Sequence, residues 1–282
     1  MNKILCIVAA SLTLGAQAQM EGKLSAPMNT KEGKVVYERV MQLGIARFGG
    51  SGNLPPEVQA QLDKMPKSRT DQFELMFTPQ HSIYQYLPNA ADDGGNSTFS
   101  GGGAVIQMRA PGINDVSYVN FTNGTRSEQR EIMEKSYVVI DTPARLQWKL
   151  SDETKPILNF IARKATATTI NQRPVMSMEN GEMKREMRSD TAKVTAWYTT
   201  DIPVPAGPNY AGQLPGLILE LDVNNGQSVI RAVEFSPKVS ANKIKEPKDG
   251  KKLSNAEYVA EREKVMDEMR KNMPAGNRIR MQ

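Results

Sequence analysis

Residues 216–235 read GLILELDVNNGQSVIRAVEF. A two-residue turn at Asn225-Gly226 suits the left-handed geometry of a type I′ hairpin. Counting outward from it, Leu221 faces Ile230, Leu219 faces Ala232, and Glu220 lies opposite Arg231. One register thus pairs apolar with apolar residues, and acid with base on the other face. The continuous Leu217-Ile218-Leu219 run predicts a strand covered on both sides, while the Glu220–Arg231 pair is expected to be solvated.

Further strands are predicted before this hairpin. Upstream they are 34–43 (KVVYERVMQL), 73–78 (FELMFT), 82–87 (SIYQYL), 116–122 (VSYVNFT), 125–133 (TRSEQREIM) and 136–141 (SYVVID). Nearer the hairpin, 145–150 (RLQWKL) alternates Leu146, Trp148 and Leu150 with polar residues, as a half-buried strand does. Strands are also predicted over 157–170 and 193–200, with a polar, turn-rich stretch at 174–191. Residues 56–65 (PEVQAQLDKM), opened by Pro55-Pro56, predict a short inserted helix. Residues 89–103 are glycine-rich and read as a loop; they lack the Gly-Lys-Ser/Thr ending of a phosphate loop. The fold class is therefore mainly β: one large curved antiparallel sheet over 33–236, with an inserted short helix and a C-terminal helix.

The ends carry different signals. Residues 1–18 (MNKILCIVAASLTLGAQA) have a positive start at Lys3, a short apolar run and small residues at Ala16 and Ala18, the order of a secretory signal peptide. Residues 19–32 are expected to be a flexible N-terminal segment. Residues 237–253 form a basic linker. Ser254 and Glu257 make a capping box for a helix over 254–273, with a stripe of Val259, Val265, Met266, Met269 and Met273, and 274–282 are a tail. The expected location is the periplasm, with outer-membrane-associated or extracellular placement as variants. No segment after the signal is apolar enough to span a bilayer.

Composition excludes several chemistries. The one cysteine, Cys6, lies in the signal segment, so disulfide and thiol chemistry are not expected after processing. A single histidine, His81, supports neither a His/Cys zinc site nor a recognisable triad. The net charge of +5 is spread along the chain and matches no nucleic-acid module. No cofactor and no catalytic residue is assigned. Asp92-Asp93 and Glu128/Glu131/Glu134 are read as ordinary polar surface, leaving a hydrolase of unfamiliar type as an alternative. The 16 methionines stand out. Met176, Met178, Met183 and Met187 are a candidate soft-metal site, because thioethers favour Cu(I); a flexible packing role is the plainer alternative. Asp190-Thr191-Ala192 resembles a bacterial O-glycosylation site.

Residues 196–221 read AWYTTDIPVPAGPNYAGQLPGLILEL. Trp197, Tyr198, Pro203, Gly207, Pro208, Leu214, Pro215, Gly216, Leu217 and Ile218 resemble the signature of the GLPGLI family, exported proteins of unestablished function from Gram-negative bacteria. Trp148-Lys149 and Arg163-Lys164-Ala165 fit the same resemblance. Gln213 departs from it, standing where the signature has its first glycine. The resemblance implies a non-enzymatic binding or accessory protein of the cell envelope. Such a protein holds an apolar ligand or a partner segment, beside an outer-membrane TonB-dependent receptor or another envelope protein. By analogy it also implies a sheet like those of periplasmic lipoprotein carriers.

Overall fold

The structure is a computed structural model that describes residues 30–43, 66–88, 96–101, 104–109, 112–133, 135–179 and 182–272. The segment 1–18 read as a signal peptide, the helix predicted at 56–65 and the tail 274–282 lie outside the described residues. The strands are β1 (Gly33–Gln42), β2 (Ser68–Phe77), β3 (His81–Tyr86), β4 (Asn96–Gly101), β5 (Ala104–Arg109), β6 (Val116–Asn120) and β7 (Thr125–Ile132). They continue with β8 (Lys135–Asp141), β9 (Lys149–Ile157), β10 (Phe160–Glu179), β11 (Glu182–Thr199), β12 (Leu217–Val223), β13 (Ser228–Ser236) and β14 (Lys251–Leu253); helix α1 is Asn255–Asn272. Twelve of them form one open sheet in the order β14-β8-β7-β6-β3-β2-β1-β13-β12-β11-β10-β9. Every pairing in it is antiparallel except β14 on β8. The other two strands, β4 and β5, pair as a separate hairpin.

The β12–β13 hairpin has the predicted register: Leu221 pairs with Ile230 and Glu220 with Arg231. Its turn is Asn-rich for a reason. Asn224 and Asn225 have φ of 55° and 51°, a region Asn tolerates better than most residues. Asn224 also hooks the neighbouring strand. Its backbone N–H donates to the Lys193 carbonyl, and its Oδ1 accepts from the Lys193 N–H. Leu217, Ile218, Leu219 and Leu221 are all buried, as the apolar run predicts. Each such side chain contributes about 1.5–3 kcal/mol of burial.

Four expectations are corrected. The glycine-rich stretch is not all loop, since β4 lies within it. Trp148 precedes β9 rather than lying in it, and Leu150 is exposed. The stretch 174–191 is not turn-rich: β10 and β11 run through it and pair from Arg163–Tyr198 out to Glu179–Glu182. Glu220 is not solvated; it is buried, its Oε1 2.6 Å from the Lys155 ammonium and its Oε2 2.6 Å from Arg231 Nε.

One sheet face carries two covers. The connector 200–216 lies over the β10–β13 half, burying Ile202, Val204, Ala206 and Leu214 in the cluster that holds Tyr37, Phe73 and Leu221. Small residues on β10 and β11, Ala162, Ala165 and Ala196, belong to that cluster too. At the other end α1 packs Tyr258 and Val265 against Tyr137 and Val139 of β8. The face of α1 differs from prediction: Tyr258 is buried and Val259 is exposed, a rotation of one residue. The predicted capping box is present, with the Glu257 N–H donating to Ser254 Oγ and the Ser254 N–H to Glu257 Oε2. The segment read as a basic linker also builds structure. Its Ile244 packs with Met76, Ile83 and Tyr118, and Lys251–Leu253 extends the sheet.

Candidate binding site

Strand register gathers residues far apart in sequence. Tyr84 pairs with Leu75 and with Ser117, and Ser117 pairs with Glu128. Phe73 pairs with Tyr37 and Arg39 with Asp71. Side chains alternate along strands and directly paired residues share a face. Arg39, Asp71, Phe73, Tyr84, Ser117, Arg126 and Glu128 therefore emerge on one side, the side covered by the connector and α1.

Between these covers lies a cavity of about 360 Å³ lined by Arg39, Phe73, Tyr84, Gly112, Asp115, Ser117, Arg126, Glu128, Asn209 and Tyr210. Its floor is aromatic. Phe73 stacks on Tyr84 with ring centroids 5.1 Å apart, and the Arg39 guanidinium lies 4.5 Å from the Phe73 centroid. Its rim comes from the connector: Arg126 donates to the Asn209 carbonyl at 2.6 Å, and Tyr210 packs edge-on against Trp148.

The acids here are engaged by bases. Asp71, whose side chain is fully buried, accepts from Arg39 at 3.0 Å and from Arg69 at 2.6 Å. Glu128 is bonded by Arg130, lies 3.5 Å from Arg126 and accepts from Ser117. Burial raises the Asp115 carboxyl above its usual range, the cations of Arg130 and Arg39 opposing and Glu128 and Glu131 adding to the shift. Burial also pushes the Tyr84 hydroxyl upward, against the lowering effect of Arg39, so this phenol stays a donor. Three buried polar atoms of lining residues have no hydrogen-bond partner among the described residues: Arg39 Nε, Arg126 Nε and the Tyr84 hydroxyl. Leaving a buried donor unpaired costs about 1–3 kcal/mol.

The residues singled out from sequence are distributed differently. Tyr198, Gly207, Pro208, Leu214, Gly216, Leu217 and Ile218 are buried in the corner where the connector enters β12, whereas Pro203 and Pro215 are exposed. A Cβ on Gly216 would lie 2.0 Å from the Thr199 carbonyl oxygen, and one on Gly207 2.6 Å from Ile218 Cβ. These glycines serve close backbone approach. Trp197 is half-buried under the Lys155 ammonium, 4.4 Å from its ring centroid. Gln213, the departure from the signature, ties the connector to the stretch before β9, since its Oε1 accepts from the Leu146 N–H and from Trp148 Nε1. His81 Nδ1 lies 2.8 Å from the Tyr118 hydroxyl. In the β10–β11 register Met178 pairs with Met183, Met176 with Arg185 and Met187 with Pro174. The arrangement of their thioethers lies outside the described residues, as do Asp92, Asp93 and Glu134.

Sequence reasoning missed Arg39, Asp71, Tyr84, Asp115 and Arg126, and took Glu128 for plain surface. A signal was available on β1, where Arg39 shares strand parity with the buried Val35 and Tyr37.

The family model for a "Protein of unknown function (Porph_ging)" matches residues 148–220, which contain the connector and its corner. No curated protein matches the sequence. Among solved structures the chain is similar to PNGF-II in its C2 crystal form, with 16% identity and a TM-score of 0.46, over 81% of this chain and 32% of that one. In the P21 form of PNGF-II the identity is 16% and the TM-score 0.47, over 83% of this chain and 34% of that one. The chain spans about a third of the length of these structures.

Proposed function

We propose that this chain is an exported, non-enzymatic binding protein of the cell envelope, and that it binds its ligand in the cavity under the Asn209–Tyr210 rim. One observation carries the reading. Five strands and the connector converge on a small cavity and leave donors of Arg39, Arg126 and Tyr84 buried beside it with no hydrogen-bond partner among the described residues. Buried donors are ordinarily satisfied in a folded protein. A bound molecule with acceptor atoms would satisfy these. The cavity lies at the small end of ligand sites, which run about 300–1,000 Å³.

The lining also refines the expectation of an apolar ligand, since Arg39, Asp115, Ser117, Arg126 and Glu128 stand in it beside the rings of Phe73, Tyr84 and Tyr210. The envelope setting is supported by the sequence: the charge–apolar–small order of residues 1–18 and the resemblance of 196–221 to the GLPGLI signature. The matched span 148–220 covers nearly all of that stretch. On this reading the signature is scaffolding that holds one wall of the cavity, and an outer-membrane transport protein is the expected neighbour.

The test is native mass spectrometry of protein purified from the envelope of its own host. The expected spectrum shows a chain beginning at Gln19 with a non-covalent adduct that is lost on denaturation. A full-length cytosolic chain overturns the export half. An adduct-free chain whose pocket variants bind every test compound as the parent does overturns the binding half.

A further inference from the structure

Resting on the reading of this cavity as a binding site, we infer that its ligand is a small organic anion, recognised through a carboxylate or an equivalent oxyanion by Arg39, Arg126 and the Tyr84 hydroxyl. The three unpartnered atoms are all donors on lining residues, and two of them belong to permanently charged guanidiniums. A ligand offering only donors or a positive charge would leave the two guanidinium N–H groups unpaired; one offering acceptor oxygens pairs all three. Each arginine retains donors for this after its structural bonds. Arg39 uses an Nη on Asp71, and Arg126 uses its Nη2 on the Asn209 carbonyl.

The cavity also has acids, and they do not oppose the assignment. Glu128 is occupied by Arg130, Arg126 and Ser117. Asp115 is faced by the guanidiniums of Arg130 and Arg39, and burial raises its pKa. The aromatic floor adds a preference. The half-buried Tyr84 and Tyr210 line the cavity, so a planar apolar body behind the oxyanion meets ring rather than water.

Tyr84→Phe separates a ligand role from a structural one. It deletes the hydroxyl and keeps the stacked ring. Because that hydroxyl has no partner among the described residues, its loss should leave the unliganded melting temperature unchanged or higher. If it instead serves the fold, the variant should melt lower.

Succinate and benzoate are titrated calorimetrically into the mature protein at constant ionic strength, with glucose and choline as neutral and cationic controls. The expected result is saturable binding of at least one anion and none of choline. That binding weakens by about tenfold or more in Tyr84→Phe, and likewise in Arg126→Lys, which keeps the charge but loses the planar fork. Anion binding that is equally strong in Tyr84→Phe overturns the inference, as does a lower melting temperature for that variant. Glucose binding that Tyr84→Phe weakens, without anion binding, overturns the anion assignment and leaves the binding site standing. No binding by any of the four overturns the inference.

Discussion

At Gly216 a single missing atom makes the corner possible. The Thr199 carbonyl passes 2.0 Å from where a Cβ would be, and φ there is not positive, so the constraint is space rather than torsion. Backbone cannot step aside as a flexible side chain can. Gly216→Ala is therefore expected to cost more than the ~1 kcal/mol of an ordinary substitution. Leu219→Ala, a cavity in the core, should cost about 2–5 kcal/mol. Glu220→Ala needs a different estimate from its sequence context. A solvated cross-strand pair is worth about 0.2–1 kcal/mol, but this carboxylate is buried and accepts from both Lys155 and Arg231. Its loss leaves two cations that are 31% and 60% exposed and can rehydrate. The expected cost is thus about 1–3 kcal/mol, below the roughly 3–5 kcal/mol of a fully buried pair broken on one side. Urea unfolding of the three variants gives the comparison; a cost for Glu220→Ala under about 0.5 kcal/mol would mean that water reaches the carboxylate freely.

At the scale of elements, the stretch 142–148 is held to the connector by the Trp148–Tyr210 ring contact and by the hydrogen bonds of one side chain. Gln213 accepts from Leu146 N–H and Trp148 Nε1 and donates to the Ala144 carbonyl. Its replacement by Ala should loosen this stretch and uncover the Trp148–Tyr210 contact, at about 0.5–1.5 kcal/mol for each bond lost. In a Trp197→Phe background, where Trp148 is the sole reporter, emission should shift to the red and anisotropy fall; unchanged emission would show that ring packing alone suffices. The same stretch shows why some elements were legible and others were not. The β12–β13 hairpin could be read because turn residues, apolar pairing and charge pairing all agreed on one register. The 145–150 alternation misled because Trp148 is held by Gln213 and Tyr210 rather than by a ladder. The outer half of β10–β11 gave no apolar alternation to read. Beyond Thr166 on β10 and before Val194 on β11, these strands pair with each other and with no third described strand. A two-stranded ribbon with no third strand beside it need not carry the apolar stripe of a packed sheet face. The Asn180-Gly181 dipeptide between them was the available hairpin signal.

Across the whole molecule, the cavity was illegible because it exists only through register. Arg39 and Tyr210 are brought together by the stacking of β1, β2, β3, β6 and β7 and by the return of the connector over them. Asp115 is where that assembly can be read by titration. The charged and titratable groups acting on it are Arg39 of β1, Arg130, Glu128 and Glu131 of β7, and Tyr258 of α1. Burial is the leading influence and raises its pKa, with Arg130 the chief opposing one. The folded state therefore holds the Asp115 proton more tightly than the unfolded chain does. Between the ordinary carboxylate value and the raised one, the folded protein binds more protons, so stability falls as pH rises through that window. The penalty is complete above the folded pKa and absent below the unfolded one. Asp115→Asn, neutral at every pH, should be more stable than the parent at neutral pH. Its advantage should shrink as the pH falls through the raised value toward the ordinary one near ~3.9. Urea midpoints of parent and variant across this range measure the difference directly. An advantage that grows as pH falls, or a variant weaker than the parent at neutral pH, would show that Arg130 and Arg39 outweigh burial and that the folded protein prefers the charged carboxylate.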